Sequence, residues 1–202
     1  VATLGWSRPH NGSVMKVRLT ALLGLLQLTP PRFGDSRGFF EETWNARTLA
    51  AAGLELDFVQ DNHSYSAPVG TLRGLHFQAP PHAQDKLVRC TRGAIFDVAV
   101  DIRVGSPTYG QWEGVELSRE NGKQLLVPKG FLHGFLTLAP DTEVQYKCTD
   151  YYAPAFDGGV HWDSVGVAWP LAVGQEPVLS PKDASAQAFP DFSSPFRYGE
   201  EY

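Results

Sequence analysis

Three stretches of this sequence carry side chains suited to proton transfer and to stabilising negative charge. Residues 70–78 read GTLRGLHFQ and hold Arg73, His76 and Gln78; Lys86 opens the run KLVR; residues 128–135 read PKGFLHGF, with His133 inside. Imidazole titrates near neutral pH, so a histidine can take up and release a proton under ordinary conditions. An ammonium group offers no lone pair to a divalent cation and repels it. Lys86 therefore argues against a metal centre and for a fixed positive charge where an oxyanion develops. Further along, residues 142–149 read TEVQYKCT. In an extended strand Val144, Tyr146 and Cys148 share one face, opposite Glu143, Gln145 and Lys147, which turns Tyr146 toward an apolar interior. Its phenol is a weak acid with a pKa of about 10, and Lys86 beside it would favour the phenolate. Each of these residues also has a plain structural reading: a core histidine, a surface lysine starting a strand, a core tyrosine.

Strands have to position them. Residues 86–102 form two extended runs split by Gly93, with Phe96, Val98, Val100 and Ile102 alternating with smaller or polar residues. Residues 112–118 follow, then Asn121-Gly122, a hairpin-turn pair tolerant of positive φ, then residues 125–127, 131–138 and 142–149. Many short strands punctuated by Gly and Pro predict an all-β sandwich or barrel. One helix is expected at residues 45–52, rich in Ala and Leu and stopped by Gly53. After Trp169 the prolines at 170, 177, 181, 190 and 195 predict a tail of loops and short turns wrapped around the barrel. One conflict stands out. Arg73 and His76 are three residues apart, which in a regular strand places them on opposite faces, unless Gly74 hosts a bulge or a strong twist.

The two segments around His76 and His133 resemble the paired signatures of the cupin superfamily, in which a His-x-His pair, a Glu and a later His usually bind a metal. Here the four positions read His76, Gln78, Lys86 and His133, with Lys86 at the family distance from Gly93. A closer resemblance runs from about Arg32 to Asp183. GTLRGLHFQ, KLVR, FDVAVDIR, GSPTYG and YKCTDYYAP, in that order, are similar to the dTDP-4-dehydrorhamnose 3,5-epimerase family. The resemblance implies a cupin jelly-roll barrel with one or two short helices, no cofactor and no metal. It also implies an enzyme that inverts the two carbons flanking a ketone through an enolate. By resemblance His76 is the base, Asp183 in LSPKD is its hydrogen-bonded partner, Lys86 stabilises the enolate, and Tyr146 is the acid on the opposite face. Arg73 is implied to hold the diphosphate, with Arg37, Phe40 and Glu42 reaching in from a second subunit of a homodimer that exchanges N-terminal strands. Gln60, Asn62, His133 and Tyr152 match positions that line the site of the dTDP-sugar substrate. Three other readings remain open: a single-position epimerase acting at C3 or C5, a metal-dependent cupin oxygenase, and a non-catalytic sugar-nucleotide-binding module.

Composition bounds the rest. The 202 residues suit one domain with a full core, and no internal repeat or linker suggests a second. The net charge of −5 gives no reason to expect nucleic acid or an anionic membrane as partner. Cys90 and Cys148 form no CxxC pair and sit in apolar or β-rich runs, so they read as buried free thiols in a reducing cytoplasm. The longest apolar stretch, residues 19–28, is interrupted and too short to span a bilayer. Residues 1–14 are expected to precede the native start at Met15, the single methionine, leaving residues 15–202 as one cupin epimerase domain.

Overall fold

The computed structural model describes residues 15–202, so the expectation for residues 1–14 lies outside the described residues. The strands are β1 (Lys16–Leu19), β2 (Leu26–Thr29), β3 (Arg32–Asp35), β4 (Gly38–Glu41), β5 (Gln60–Ser66), β6 (Leu72–Gln78), β7 (Lys86–Arg92), β8 (Ala94–Asp101), β9 (Trp112–Ser118), β10 (Gln124–Val127), β11 (Phe131–Thr137), β12 (Thr142–Cys148) and β13 (Asp157–Gly159). The helices are α1 (Ala46–Ala51) and α2 (Pro181–Ala184), with two single 3-10 turns besides.

A six-stranded antiparallel sheet runs β1-β2-β10-β7-β12-β5, and a five-stranded one runs β13-β6-β11-β8-β9. From β5 onward almost every connection changes sheet, and only β8 to β9 stays within one. The result is a jelly roll. The crossings need tight corners, and Gly93 makes one of them. It sits between β7 and β8 at φ +74°, and a Cβ there would lie 2.4 Å from Thr142 Oγ1. The turn at Asn121-Gly122 is formed, with Gly122 at φ +61° and the Asn121 side chain accepting from the amides of Ser118 and Lys123. It does not close a hairpin: β9 and β10 belong to different sheets. A dipeptide signals the turn itself, whereas the partner of the strand after it is set by burial.

Three apolar layers hold the molecule. Between the sheets, Val88, Cys90, Val144, Leu125 and Val127 face Ile95, Ala99, Val115, Leu117, Phe131 and Phe135. Outside the small sheet, Leu72, Leu75, Val98, Val100, Ile102, Leu132 and Leu136 lie beneath Trp169, Phe192 and Phe196 of the C-terminal tail. Outside the large sheet, Leu26, Leu28, Leu87 and Leu126 pack under Leu49 of α1, with Trp44, Leu54, Leu56 and Phe58 closing over them. The alternating apolar set of β8 thus points outward under the tail. Ile95, Asp97 and Ala99 face the barrel interior. Helix α1 starts where Asn45 accepts from the amides of Arg47 and Thr48, the usual N-cap arrangement, and ends at Ala52 before Gly53.

Candidate functional site

The interior face of the barrel is set by strand alternation. On β7 Lys86, Val88 and Cys90 point inward, paired with Cys148, Tyr146 and Val144 of β12. Asn62 on β5 stands on the other side of Tyr146. From the small sheet His76 of β6 lies opposite His133 of β11. The conflict between Arg73 and His76 is resolved at this point. Phe135 pairs with Arg73 and His133 with His76, so three steps along β6 match two along β11. Gly74 absorbs the extra residue at φ +130°, and a Cβ there would lie 2.6 Å from Gly134 Cα. Arg73 and His76 therefore line the same cleft.

That cleft consists of two adjoining cavities of about 410 and 290 Å³ that share His76, Lys86, Tyr146 and Lys182. The first also takes in Arg73, His133, Ser64 and Asp183; the second takes in Gln60, Asn62, Tyr152 and Asp157. His76 Nε2 lies 2.5 Å from Asp183 Oδ1. A carboxylate can only accept, so this nitrogen carries the hydrogen and Nδ1 keeps its lone pair. Asp183 is buried, which alone would raise its pKa. The hydrogen bond and charge of His76, the Ser180 hydroxyl and the Gly74 amide more than offset this and hold it below the usual carboxylate value. His133 Nε2 makes a second such pair, 2.8 Å from Asp97 Oδ1, with both residues buried.

The Lys86 side chain makes no hydrogen bond or ion pair among the described residues. Burial pushes its pKa down, while Cys148, Asp157 and Asp97 pull it back and Lys182 adds to the depression. Burial likewise raises Tyr146, with Cys148 adding to this and Arg73 opposing it. The phenolate expected from the neighbouring lysine is thus disfavoured, and the hydroxyl keeps its proton across the neutral range. Arg73 donates to Ser66 Oγ at 3.2 Å and to the Tyr65 carbonyl at 3.0 Å. Gln60 donates to Asn62 at 3.0 Å, and Asn62 donates to Cys148 Sγ at 3.6 Å.

The donor set does not fit a metal. Gln78 spends its amide nitrogen on the carbonyls of His82 and Tyr151 and its oxygen on the amide of Ala153. The Lys86 ammonium stands at the next position of the set, where it has no lone pair to offer and repels a cation. Sequence reasoning missed Lys182, Asp157 and Ser64. Lys182 forms an ion pair with Asp157, which also accepts from Tyr152 Oη at 3.0 Å. The adjacency of Lys182 to Asp183 was the available signal. Arg37, Phe40 and Glu42 do not line this cleft. They sit on or beside the β3–β4 hairpin, where the Arg37 side chain is 79% exposed and bound to Asp35, Phe40 is 51% exposed, and Glu42 accepts from Asn45.

Comparison with known proteins identifies the family. A family model described as dTDP-4-dehydrorhamnose 3,5-epimerase matches residues 19–191. A protein of that name from Salmonella typhimurium is 52% identical over 176 residues, covering 86% of this chain and 94% of its own. The crystal structure of a Bacillus anthracis protein of that name, with TDP and PPi bound, superposes with a TM-score of 0.83. It is 49% identical and covers 87% of this chain and 99% of its own. A Legionella pneumophila dTDP-6-deoxy-D-glucose-3,5-epimerase in complex with dTDP-4-keto-L-rhamnose gives 0.86 at 44% identity, covering 92% of this chain and 100% of its own.

Proposed function

This chain belongs to the dTDP-4-dehydrorhamnose 3,5-epimerase family, and from that premise we propose that it converts dTDP-4-dehydro-6-deoxy-D-glucose to dTDP-4-dehydro-L-rhamnose with the cleft side chains in the following roles. His76 Nδ1 removes the proton from the carbon next to the C4 ketone. The electron pair moves onto the ketone oxygen, and the Lys86 ammonium stabilises the enolate. Asp183 holds the imidazole in the tautomer with a free Nδ1 and stabilises the imidazolium once the proton arrives. Tyr146, kept as a phenol by burial, returns a proton to the opposite face. After each inversion His76 gives its proton to solvent and the Tyr146 phenolate takes one from it, so the cycle runs once at C3 and once at C5, and each turn ends with a carbonyl again.

Arg73 holds a phosphate of the diphosphate through its guanidinium fork. Gln60, Asn62, His133 and Tyr152 line the sugar nucleotide. Arg37, Phe40 and Glu42 complete the site of a second subunit in a homodimer with exchanged N-terminal strands. The exposure of Arg37 and Phe40 and their absence from the lining of their own cleft support this. No cofactor takes part, residues 15–202 act as one cupin epimerase domain, and the cytoplasm is the working compartment.

The observation that carries the reading is a lysine without a counter-ion in the same cleft as a carboxylate-oriented histidine and a protonated tyrosine. The test is solvent deuterium wash-in, followed by NMR on dTDP-4-keto-6-deoxyglucose. Label at both C3 and C5 is expected. Label at one carbon alone would make this a single-position epimerase, and binding without any exchange would make it a sugar-nucleotide-binding module.

A further inference from the structure

Strand β5 builds the wall of the cleft on the side of Arg73. Alternation turns Gln60, Asn62, Ser64 and Ser66 toward the interior and Asp61, His63 and Tyr65 away from it. Ser66 is 4% exposed. Arg73 reaches toward this strand from β6 of the other sheet and is itself exposed. Its Nε donates to Ser66 Oγ at 3.2 Å and its Nη2 to the Tyr65 carbonyl at 3.0 Å, so one guanidinium bridges the two sheets at the cleft.

A guanidinium has edges, and these two bonds use up one of them. The N–H of Nε and one N–H of Nη2 point the same way along one side of the planar group, and both are spent on β5. The end edge, formed by Nη1 and Nη2, keeps two parallel N–H groups. The Arg73 side chain has no further hydrogen bond or ion pair among the described residues. Two acceptors on consecutive residues fix the plane of the group as well as its position. An unheld arginine on a surface occupies many rotamers, and immobilising it when a ligand binds weakens affinity about two- to tenfold. Here that ordering precedes the ligand. One of the two acceptors is a backbone carbonyl, which leaves the Ser66 hydroxyl as the side-chain part of the arrangement.

Taking Arg73 as the phosphate holder proposed above, we infer that Ser66 is a positioning residue for phosphate binding: its hydroxyl and the Tyr65 carbonyl hold Arg73 side-on, so that a nucleoside diphosphate is gripped end-on by the free Nη1–Nη2 edge. Ser66 does not line the reactive cleft itself. Its contribution therefore falls on binding and not on proton transfer.

Ser66→Ala and Ser66→Thr are compared with the native protein by calorimetric titration with dTDP and by steady-state kinetics on dTDP-4-keto-6-deoxyglucose. Ser66→Ala should raise the dTDP Kd and the KM about two- to tenfold and leave kcat within about twofold, a split that a loss of general stability would not give. Ser66→Thr, which keeps the hydroxyl and suits a strand, should retain native values. In an Arg73→Lys background, which cannot make the two side-on bonds, Ser66→Ala should add nothing. Native dTDP affinity in Ser66→Ala, or an equal loss in the Arg73→Lys background, overturns the inference. Arg73→Lys alone separates the two levels: weakened dTDP binding keeps Arg73 as the phosphate holder whatever Ser66 does, and native binding removes that role along with the inference. Should Ser66→Ala fail to fold, Ser66→Cys, of the same shape with a sulfur that accepts only weakly, is read by the same measurements.

Discussion

Lys86 sets the behaviour of the site at the scale of single residues. Lys86→Ala removes the charge proposed to face the enolate and should lower kcat by about 10²–10³, the scale for one oxyanion donor, as read by steady-state turnover. Its lowered pKa has two opposite consequences. Between that value and the ordinary 10.5, the unfolded chain keeps a proton that the folded chain has lost. Stability against urea therefore rises with pH across this window. Turnover, which needs the ammonium, falls over the same range. Lys86→Ala should abolish the stability slope, and a slope that persists would place its origin elsewhere. Tyr146→Phe should leave deuterium exchange running while no inverted product forms. The identity of these residues was legible because type and order along the chain carry it, and the alternation of residues 144–148 was enough to turn Tyr146 inward. The protonation of Tyr146 was not legible, because desolvation depends on what the fold packs around the ring.

Short elements aim these groups. The bulge at Gly74 is the clearest case: a Cβ would strike Gly134 and the His133 carbonyl, and the backbone lies at φ +130°. Gly74→Ala should therefore unseat Arg73 and His76 together, raising KM as well as lowering kcat. Loss of kcat alone would mean that Arg73 is not coupled to the bulge. Helix α2 is only one turn long, yet it delivers Asp183 to a histidine 107 residues away. Ser180 caps it by accepting from the Asp183 amide at 3.1 Å, and Ser180→Ala should cost about 0.5–2 kcal/mol of stability. The depressed pKa of Asp183 stabilises the fold above the ordinary carboxylate value of 3.8 and ceases to do so as pH falls through the lower folded value. Asp183→Asn should flatten that acid limb in denaturant titrations. The strands, the helix near residue 45 and the need for a bulge could be read from pattern and glycine placement. The failure of Asn121-Gly122 to close a hairpin could not, since pairing is a long-range choice between two sheets.

For the whole molecule, the tail brings Asp183 to the cleft, and the proposed second role belongs to the β3–β4 hairpin. If the hairpin of one subunit serves the cleft of another, two crippled chains can rescue each other. Mixing His76→Ala with Arg37→Ala should restore about a quarter of native turnover, because half the dimers then hold one intact site of two. Additive residual activities in the mixture would mean that each cleft is completed by its own chain. The two-sheet architecture was legible from strand count and punctuation. The outward set on β8 was not, because a strand buried on both faces hides which side meets the barrel and which meets the tail. Phe196, on the inner side of that tail, is 1% exposed, and Phe196→Ala should cost about 3–5 kcal/mol in urea unfolding.

The tail seals the outer surface of the small sheet with Trp169, Phe192 and Phe196, and it also carries the acid that orients His76. A nascent chain therefore reaches residue 150 with base, cation and phenol already synthesised but no partner for the imidazole. Chemistry and the final closure of the fold arrive together, in one late event. A pulse-labelled translation series should detect full exchange activity only after the segment carrying Asp183 has left the ribosome.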